Sequence, residues 1–444
     1  MTISRTICLG FLAAIALGTL LLMLPFATTE GHWGSLLVAL FTATSAVCVT
    51  GLSVVDPNSY FSFWGELGIA FLAQIGGLGY MTLTTFLMIL IGRKFDLQQR
   101  AAIQESFDHR FTQGSASLIK SVIATTLLFE ISGAIILFFV FVQDYPPLEA
   151  LWYAIFHSIS AFNNAGFALF ADNLIGYQSS VPLNLTITTL IIFGGIGYQV
   201  IIELYFWLLH LGKRRKHSFA FSLNFKVVIR VTIFLLVLGL GGILWLEFQD
   251  PDSLLSLSTK DRLLLAWFQS VTTRTAGFNT VDLNVFNPIT IILIMLLMFI
   301  GASPSGTGGG IKTTTLSILV NCTRAALRGR ERVIIYGRRL PNELILKAIA
   351  VAMGSALTVV FCISLIILAE PDLSKLKLVF EAVSAFATVG LSMGVTAQLS
   401  PFSQVILVIT MFIGRVGVTL LMAAIVGDPK PSLIRYPEEN LLVG

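Results

Sequence analysis

One short pattern recurs four times along this 444-residue chain and limits its possible folds more than any other feature. It reads SAVCVTGL from Ser45 to Leu52, SAFNNAGF from Ser160 to Phe167, SVTTRTAGF from Ser270 to Phe278 and SAFATVGL from Ser384 to Leu391. The glycines of the four copies, Gly51, Gly166, Gly277 and Gly390, stand 115, 111 and 113 residues apart, which predicts four copies of one structural unit. Each copy joins an aromatic-containing amphipathic segment to a Ser/Ala/Thr-rich end, then a glycine and a large apolar residue. That order predicts a short helix closed by a glycine-opened turn. Because glycine tolerates positive φ, such a turn can aim backbone carbonyls where other residues resist. Four turns around one axis would make a ring of carbonyl oxygens, and a ring of that kind replaces the water around a small cation.

The rest of the chain fits a lipid setting. It is 55% hydrophobic and 12% charged, against about 25% charged in soluble domains. Each unit reads as long helix, short helix with turn, long helix. The first long segments fall near 6–26, 118–142, 225–248 and 344–368, and the short ones near 34–46, 148–161, 261–272 and 375–385. The second long segments fall near 63–91, 183–211, 288–327 and 402–426. Crossing about 30 Å of hydrocarbon takes about 20 helical residues, so the long segments span and the short ones re-enter. The expected fold is an all-α polytopic membrane protein: eight transmembrane helices and four re-entrant pore helices around a central pore. Its units would be 1–94, 95–217, 218–340 (with the second span broken) and 341–444 with the tail. The apolar start after Arg5 resembles a signal peptide, but the repeat places a spanning segment there in every copy. Cys8, Cys48, Cys322 and Cys362 lie in or beside apolar segments at no metal-ligand spacing and read as small core residues.

Charge placement predicts orientation. Arg93, Lys94, Arg100 and Arg110 lie between the first two units, and Lys213, Arg214, Arg215, Lys216, Lys226 and Arg230 between the next two. Arg324, Arg328, Arg330, Arg332, Arg338 and Arg339 follow the third. The side bearing the turns has few cations beside Glu30, Asp56, Asp144 and Asp172. The positive-inside rule then puts both termini and the inter-unit loops in the cytoplasm of a multi-pass protein of the inner (plasma) membrane. The basic face is first of all a topology signal. A regulator docked at 324–339 would also sit directly beyond the broken span.

Two readings of the turns compete: glycines kept for helix packing, or an ion filter. A filter would draw on Val49-Thr50-Gly51, Asn164-Ala165-Gly166, Thr275-Ala276-Gly277 and Thr388-Val389-Gly390, with the cation held at the glycine carbonyls. Four helix C-termini add partial negative charge there, and no carboxylate lies in any turn. A second alignment runs through Gly76, Gly194, Gly301 and Gly414, where Gly76-Gly77 and Gly194-Gly195 suit close helix packing. The third copy departs with Gly301-Ala302-Ser303-Pro304-Ser305-Gly306-Thr307-Gly308-Gly309-Gly310-Ile311-Lys312-Thr313. Each glycine costs about 1 kcal/mol and a proline about 3 relative to alanine, so the helix breaks in mid-membrane. Residues 306–313 approach a nucleotide P-loop, but Ile311 replaces its second glycine and no strand precedes it; this chain is not expected to bind a nucleotide. The fourth copy departs with Arg415, a guanidinium that must face water or carbonyls rather than lipid. Arg274, inside the third turn, is expected behind the ring, bonding carbonyls. His157 reads as a satisfied core residue.

Thr388-Val389-Gly390 repeats the TVG of potassium-channel filters, and Ser53, Ala168, Asn279 and Ser392 stand where the second channel glycine would be. Four single-glycine filters in one chain resemble the Trk/Ktr/HKT superfamily of potassium transporters, and eight spans resemble its Ktr-type ion-translocating subunit. The resemblance covers nearly the whole chain. It implies potassium uptake, with glycine in all four turns as the potassium-associated pattern. It also implies that 301–313 is an intramembrane gate lying across the pore below the filter, with Arg415 facing the pore beside it. By the same resemblance the chain would form a homodimer on a cytoplasmic nucleotide-binding regulatory ring, in membrane lipid, with sodium as a possible stimulating ion. Two rival classes stand beside it. A sodium-selective HKT-like carrier is one alternative. A secondary carrier of another cation or small solute could use the broken span as its site, but such folds generally have inverted repeats, whereas these four units run in the same order and orientation. An enzyme lacks support, since no Ser/His pair, paired carboxylates or ligand cluster is evident, and no nucleic-acid partner is implied.

Overall fold

A computed structural model describes residues 3–79, 115–212, 219–247, 258–330 and 332–427. Helices of nine residues or more are numbered here in chain order. Among the described residues four single helices are long and apolar enough to cross a membrane: α1 (Ile3–Met23), α4 (Ser115–Phe141), α8 (Leu223–Glu247) and α12 (Asn342–Ala369). Each is followed by a short helix: α2 (Leu36–Val47), α5 (Pro147–Phe162), α9 (Thr259–Thr272) or α13 (Lys375–Ala387). At 1.5 Å per residue these reach about 18–24 Å, less than the hydrocarbon thickness. A third set follows: α3 (Phe63–Leu78), α6 (Val181–Ile196), α10 (Pro288–Phe299) and α14 (Pro401–Val416). Local sequence explains these starts. Proline occupies the first turn of α6, α10 and α14, where its missing N–H is no loss, and Ser62, Asn287 and Ser400 cap α3, α10 and α14.

The third set differs from expectation. The sequence predicts one broken span, in the third copy, whereas among the described residues the second and fourth copies bend sharply at the corresponding place, and the helix of the first ends there. At Gly197, α6 bends 103° into α7 (Tyr198–Gly212), and at Gly417, α14 bends 93° into α15 (Val418–Val426). Helix α3 stops at Gly79. The cause is local: these glycines have φ of +77°, +88° and +88°, which ends an α-helix. Each stands three residues after Gly76, Gly194 or Gly414, and Pro304 holds the same place after Gly301. In the third unit α10 ends at Phe299, α11 (Thr313–Leu327) resumes after the loop, and a small hairpin pairs β1 (Ile334–Ile335) with β2 (Arg338–Arg339). Residues 80–91, Arg93, Lys94, Arg100, Arg110, Lys213, Arg214, Arg215 and Lys216 lie outside the described residues.

The core runs from unit to unit in a circle. One cluster joins Phe41 and Ile69 of the first unit to Leu378 and Leu407 of the fourth. A second joins Ile294 to Phe380, and a third joins Phe162 and Leu190 to Phe268. Cys8, Cys48 and Cys362 are buried and Cys322 partly so, as small apolar residues would be. Carboxylates tie the ends of two long helices to the next start. Glu247 accepts from the Asn287 backbone N–H at 3.2 Å. Glu370 accepts from the Ser400 backbone N–H at 2.8 Å and from Ser403 Oγ at 2.7 Å, and the hydrogen bonds from Ser400 and Ser403 hold its pKa below the usual carboxylate range.

Candidate functional site

The four turns share one backbone conformation. Their glycines have φ of +90°, +72°, +78° and +91°, and the residues two places earlier, Val49, Asn164, Thr275 and Thr388, are also left-handed at +57°, +57°, +68° and +50°. Three of those four residues are β-branched, for which this region costs about 1–3 kcal/mol. Short-range bonds hold the conformation. The backbone N–H groups of Thr50, Ala165 and Val389 donate to the carbonyls of Ser45, Ser160 and Ser384 at 2.7, 2.7 and 2.9 Å. The serine hydroxyls then accept from Gly51 N–H at 3.0 Å and Gly390 N–H at 3.1 Å, or donate to the Phe167 carbonyl at 2.8 Å. In the third unit Thr272 takes this part, one residue nearer its glycine: its carbonyl accepts from Ala276 N–H at 3.0 Å and its hydroxyl donates to Phe278 O at 2.6 Å. Ser270, which sequence alignment puts at this position, bonds the Leu236 carbonyl instead. The third turn is one residue tighter than the others.

The turns close on one another in order. A Cβ on Gly51 would stand 2.6 Å from the Ala165 carbonyl oxygen, one on Gly166 2.8 Å from that of Ala276, and one on Gly277 2.5 Å from that of Val389. On Gly390 it would meet the carbonyl of Thr50, returning to the first unit. Among the described residues no donor reaches these four carbonyls or those of the four glycines. The ring is therefore built of backbone, buried at Gly166, Gly277 and Gly390 and half-buried at Gly51, whose oxygens have no donor among the described residues. Above it opens a cavity of 520 Å³ that Gly51, Gly166 and Gly390 line from below and Asp56, Asp172 and Asp282 line from three units.

The 301–313 loop presses against the ring from the other side. Helix α10 has only 12 residues, so the chain returns close to the turns. Gly309 N–H donates to Thr388 Oγ1 at 3.0 Å, and a Cβ on Gly308 would strike Thr275 Oγ1. The loop closes on itself through Gly301 N–H to Ile311 O at 2.9 Å. It grips the break of the second unit: Ser303 N–H donates to Gly195 O at 2.9 Å, Thr307 N–H to Gly194 O at 3.1 Å, and Ser305 O accepts from Tyr198 N–H at 3.2 Å. A Cβ on Gly197 would collide with the Pro304 carbonyl, so only glycine fits that corner. Arg415 reaches in from the fourth unit and donates to the carbonyls of Thr307 and Gly76. Lys312 Nζ donates to Gly308 O at 2.6 Å.

Residues 7–436 match the family described as TrkH, cation transport protein. The chain belongs to the TrkH family. Among its relatives, the Ktr system potassium uptake protein B of Bacillus subtilis is 38% identical over 440 residues, covering 99% of this chain and 96% of that protein. The potassium/sodium uptake protein NtpJ of Enterococcus hirae is 33% identical over 447 residues, covering 99% and 97%. The crystal structure of the potassium transporter TrkH from Vibrio parahaemolyticus shares the fold at 20% identity, with a TM-score of 0.70 over 95% of this chain and 85% of that one. As a TrkH-family protein the chain is a cation transporter, not an enzyme.

Within this TrkH-family fold the sequence-predicted residues fall into two groups. The twelve turn residues come together in the ring, and the 301–313 residues and Arg415 come together beside it. Arg274 lies behind its turn and donates to Gly301 O at 2.8 Å. His157 is a core residue, with Nδ1 on Tyr153 O at 2.7 Å and Nε2 accepting from Leu169 N–H at 3.3 Å. Sequence reasoning missed the buried carboxylates. Glu130 accepts from Asn163 Nδ2 at 3.0 Å, directly after α5, and Asn163 Nδ2 also reaches Gln74 Oε1 at 2.8 Å. Glu381 accepts from Ser392 and from Thr396 Oγ1 in the fourth unit, behind its turn. An acidic residue inside an apolar helix was the available signal.

Proposed function

We propose that this chain takes up potassium through the ring of Gly51, Gly166, Gly277 and Gly390, within four units divided as 1–94, 95–217, 218–340 and 341–444. The observation that carries the reading is the closed circuit of glycines against neighbouring carbonyls, with no donor on the ring oxygens among the described residues. Buried carbonyls without donors cost free energy unless a ligand meets them, and a dehydrated monovalent cation does so. The lack of a carboxylate in the ring favours a monovalent over a divalent ion. The named relatives, both potassium uptake proteins, support the same cargo. The cavity with Asp56, Asp172 and Asp282 would concentrate cations at the mouth. The 301–313 loop and Arg415 would form the closed gate, since they stand against the inner side of the ring and the arginine places a positive charge there. The membrane potential would drive entry at about 2.3 kcal/mol per charge per 100 mV. Both termini are assigned to the cytoplasm. A homodimer, a cytoplasmic nucleotide-binding ring and stimulation by sodium follow from the Ktr-type resemblance. A second reading, shared carriage of sodium, is favoured by the potassium/sodium uptake relative.

Rubidium and sodium uptake in cells lacking their own potassium uptake tests this reading. Gly51→Ser should lower the preference for rubidium over sodium, because the new Cβ pushes on the Ala165 carbonyl. An unchanged preference in a variant that reaches the membrane sinks the ring assignment at that turn.

A further inference from the structure

The far end of the third unit holds a feature that cation passage does not use. Four guanidinium side chains, those of Arg324, Arg328, Arg330 and Arg332, line a cavity of 230 Å³ together with Asn321. A single water needs about 10–15 Å³, so the space suits a larger guest. Arg324 sits in the last turn of α11, where the helix dipole alone would favour it. Arg328 caps the same helix end, whereas Arg330 and Arg332 lie beyond it, and helix electrostatics does not account for those two. Among the described residues no carboxylate pairs with any of the four; Glu331, between Arg330 and Arg332 in sequence, lies outside them. Like charges gathered around one cavity repel, and an anion between them removes the repulsion.

The cations stand on a fixed scaffold. Hairpin residues Val333, Ile335 and Leu340 pack with Val227 and Ala325 in a small core of their own. The Tyr336 ring lies 4.9 Å from the Arg230 guanidinium carbon and 5.8 Å from Lys226 Nζ, which docks the hairpin on α8. Guanidinium forks on a rigid frame match the oxygens of a phosphate. The level of the site points to its source. The hairpin ends at Arg339, and α12, long and apolar enough to cross a membrane, begins at Asn342, so the pocket stands beside the start of that helix. Leu327 beside it is 84% exposed, and Leu346 near the start of α12 is 67% exposed. Apolar surface next to a basic cavity fits a phosphate that carries acyl chains.

We infer that this arginine pocket binds one phosphate group, that of an anionic phospholipid headgroup at the membrane face remote from the turn ring. The test uses the full chain in detergent, with fluorescent phosphatidylglycerol, fluorescent phosphatidylcholine and inorganic phosphate as separate probes. Phosphatidylglycerol should bind saturably and far more tightly than phosphatidylcholine. Arg328→Gln with Arg330→Gln should weaken it about 30-fold, at roughly a factor of five per charge. The Arg328→Lys, Arg330→Lys pair should recover part of the loss, and an unchanged melting temperature certifies the fold of each variant. If the double glutamine variant does not fold, Arg332→Gln alone should still weaken binding about fivefold. Inorganic phosphate competing at the affinity of the lipid would keep the phosphate site and assign it to a soluble source. Equal binding of the two lipids, or unchanged phosphatidylglycerol binding in the folded variants, overturns the proposal. Loss of a cytoplasmic protein partner without any lipid or phosphate binding overturns it too.

Discussion

The four turns and the 301–313 loop touch each other, yet they are held in different ways. Each turn is closed by its own copy, through bonds that span four to seven residues, such as Ser45 to Thr50 or Ser160 to Phe167. The loop makes only part of its bonds within itself. Others run to Phe162, Gly194, Gly195 and Tyr198 of the second unit, to Arg274 in the third turn, and to Thr388 and Arg415 of the fourth. Turn geometry is thus encoded four times over in local sequence, whereas loop geometry belongs to the assembly. A local structure should survive loss of the loop, and the loop should not survive loss of its neighbours.

The largest effect should come from the ring. Gly390→Ala adds a Cβ against the Thr50 carbonyl and strains a backbone at φ +91°. Displacement and strain together should exceed about 3 kcal/mol, so potassium preference should fall by about 100-fold or more. Gly394→Ala sharpens the comparison, because Gly394 has φ +80° with nothing near its Cβ. If uptake assays find both variants equally impaired, backbone strain rather than ring contact sets selectivity.

Deleting Ser305 to Gly310 should have the next largest effect. It removes the segment beside the ring and leaves every intra-turn bond in place, so maximal uptake should rise about 3- to 10-fold with little change in apparent affinity. Arg415→Ala should act in the same direction but less, since it removes only the bonds to Thr307 and Gly76. The combined variant should gain less than the sum. A folded deletion variant without flux would make the loop a necessary part of the path.

Ser384→Ala tests the local bonds. It removes one hydroxyl from Gly390 N–H, worth about 1 kcal/mol, so ion preference should shift about fivefold at most. A shift as large as that of Gly390→Ala would mean the turns are not individually secured. The smallest effect belongs to the mouth. Changing Asp56, Asp172 and Asp282 together to asparagine should slow uptake about twofold to fivefold at low ionic strength. The difference should fade above about 0.15 M salt, where charges are screened over roughly 8 Å. A defect independent of salt would give these carboxylates a structural role instead.

How much of this was legible follows the same division. The turns could be read from sequence because a local structure repeats its residues at a fixed offset, as Gly51, Gly166, Gly277 and Gly390 do. The loop could be read from composition, through Pro304 and its glycines. The bends at Gly197 and Gly417 and the end of α3 at Gly79 are hard to read because one glycine in an apolar run looks like a packing residue, although each keeps the three-residue offset that Pro304 shares. The part played by Thr272 was not legible. Alignment favours Ser270, and only the tighter third turn moves the task two places along. The Glu130–Asn163–Gln74 cluster joins residues of two units, a pairing that no local pattern announces.

The circuit of the ring also bears on how the chain is made. Its last link is Gly390 against Thr50, and the core cluster of the first unit is completed by Leu378, Leu407 and Met411 of the fourth. Arg5 likewise donates to the Ala424 carbonyl at 2.7 Å. These contacts join residues more than 300 positions apart among the described residues, up to 419 for Arg5 and Ala424, and contacts of large separation are slow to form. During synthesis three units must therefore wait in the bilayer with an open seam, presenting unpaired carbonyls and half a core to lipid. A chain that stops before the last quarter would lack the partners of that seam and could not close the ring. Membrane proteases that recognise polar backbone in lipid would find their substrate at that seam.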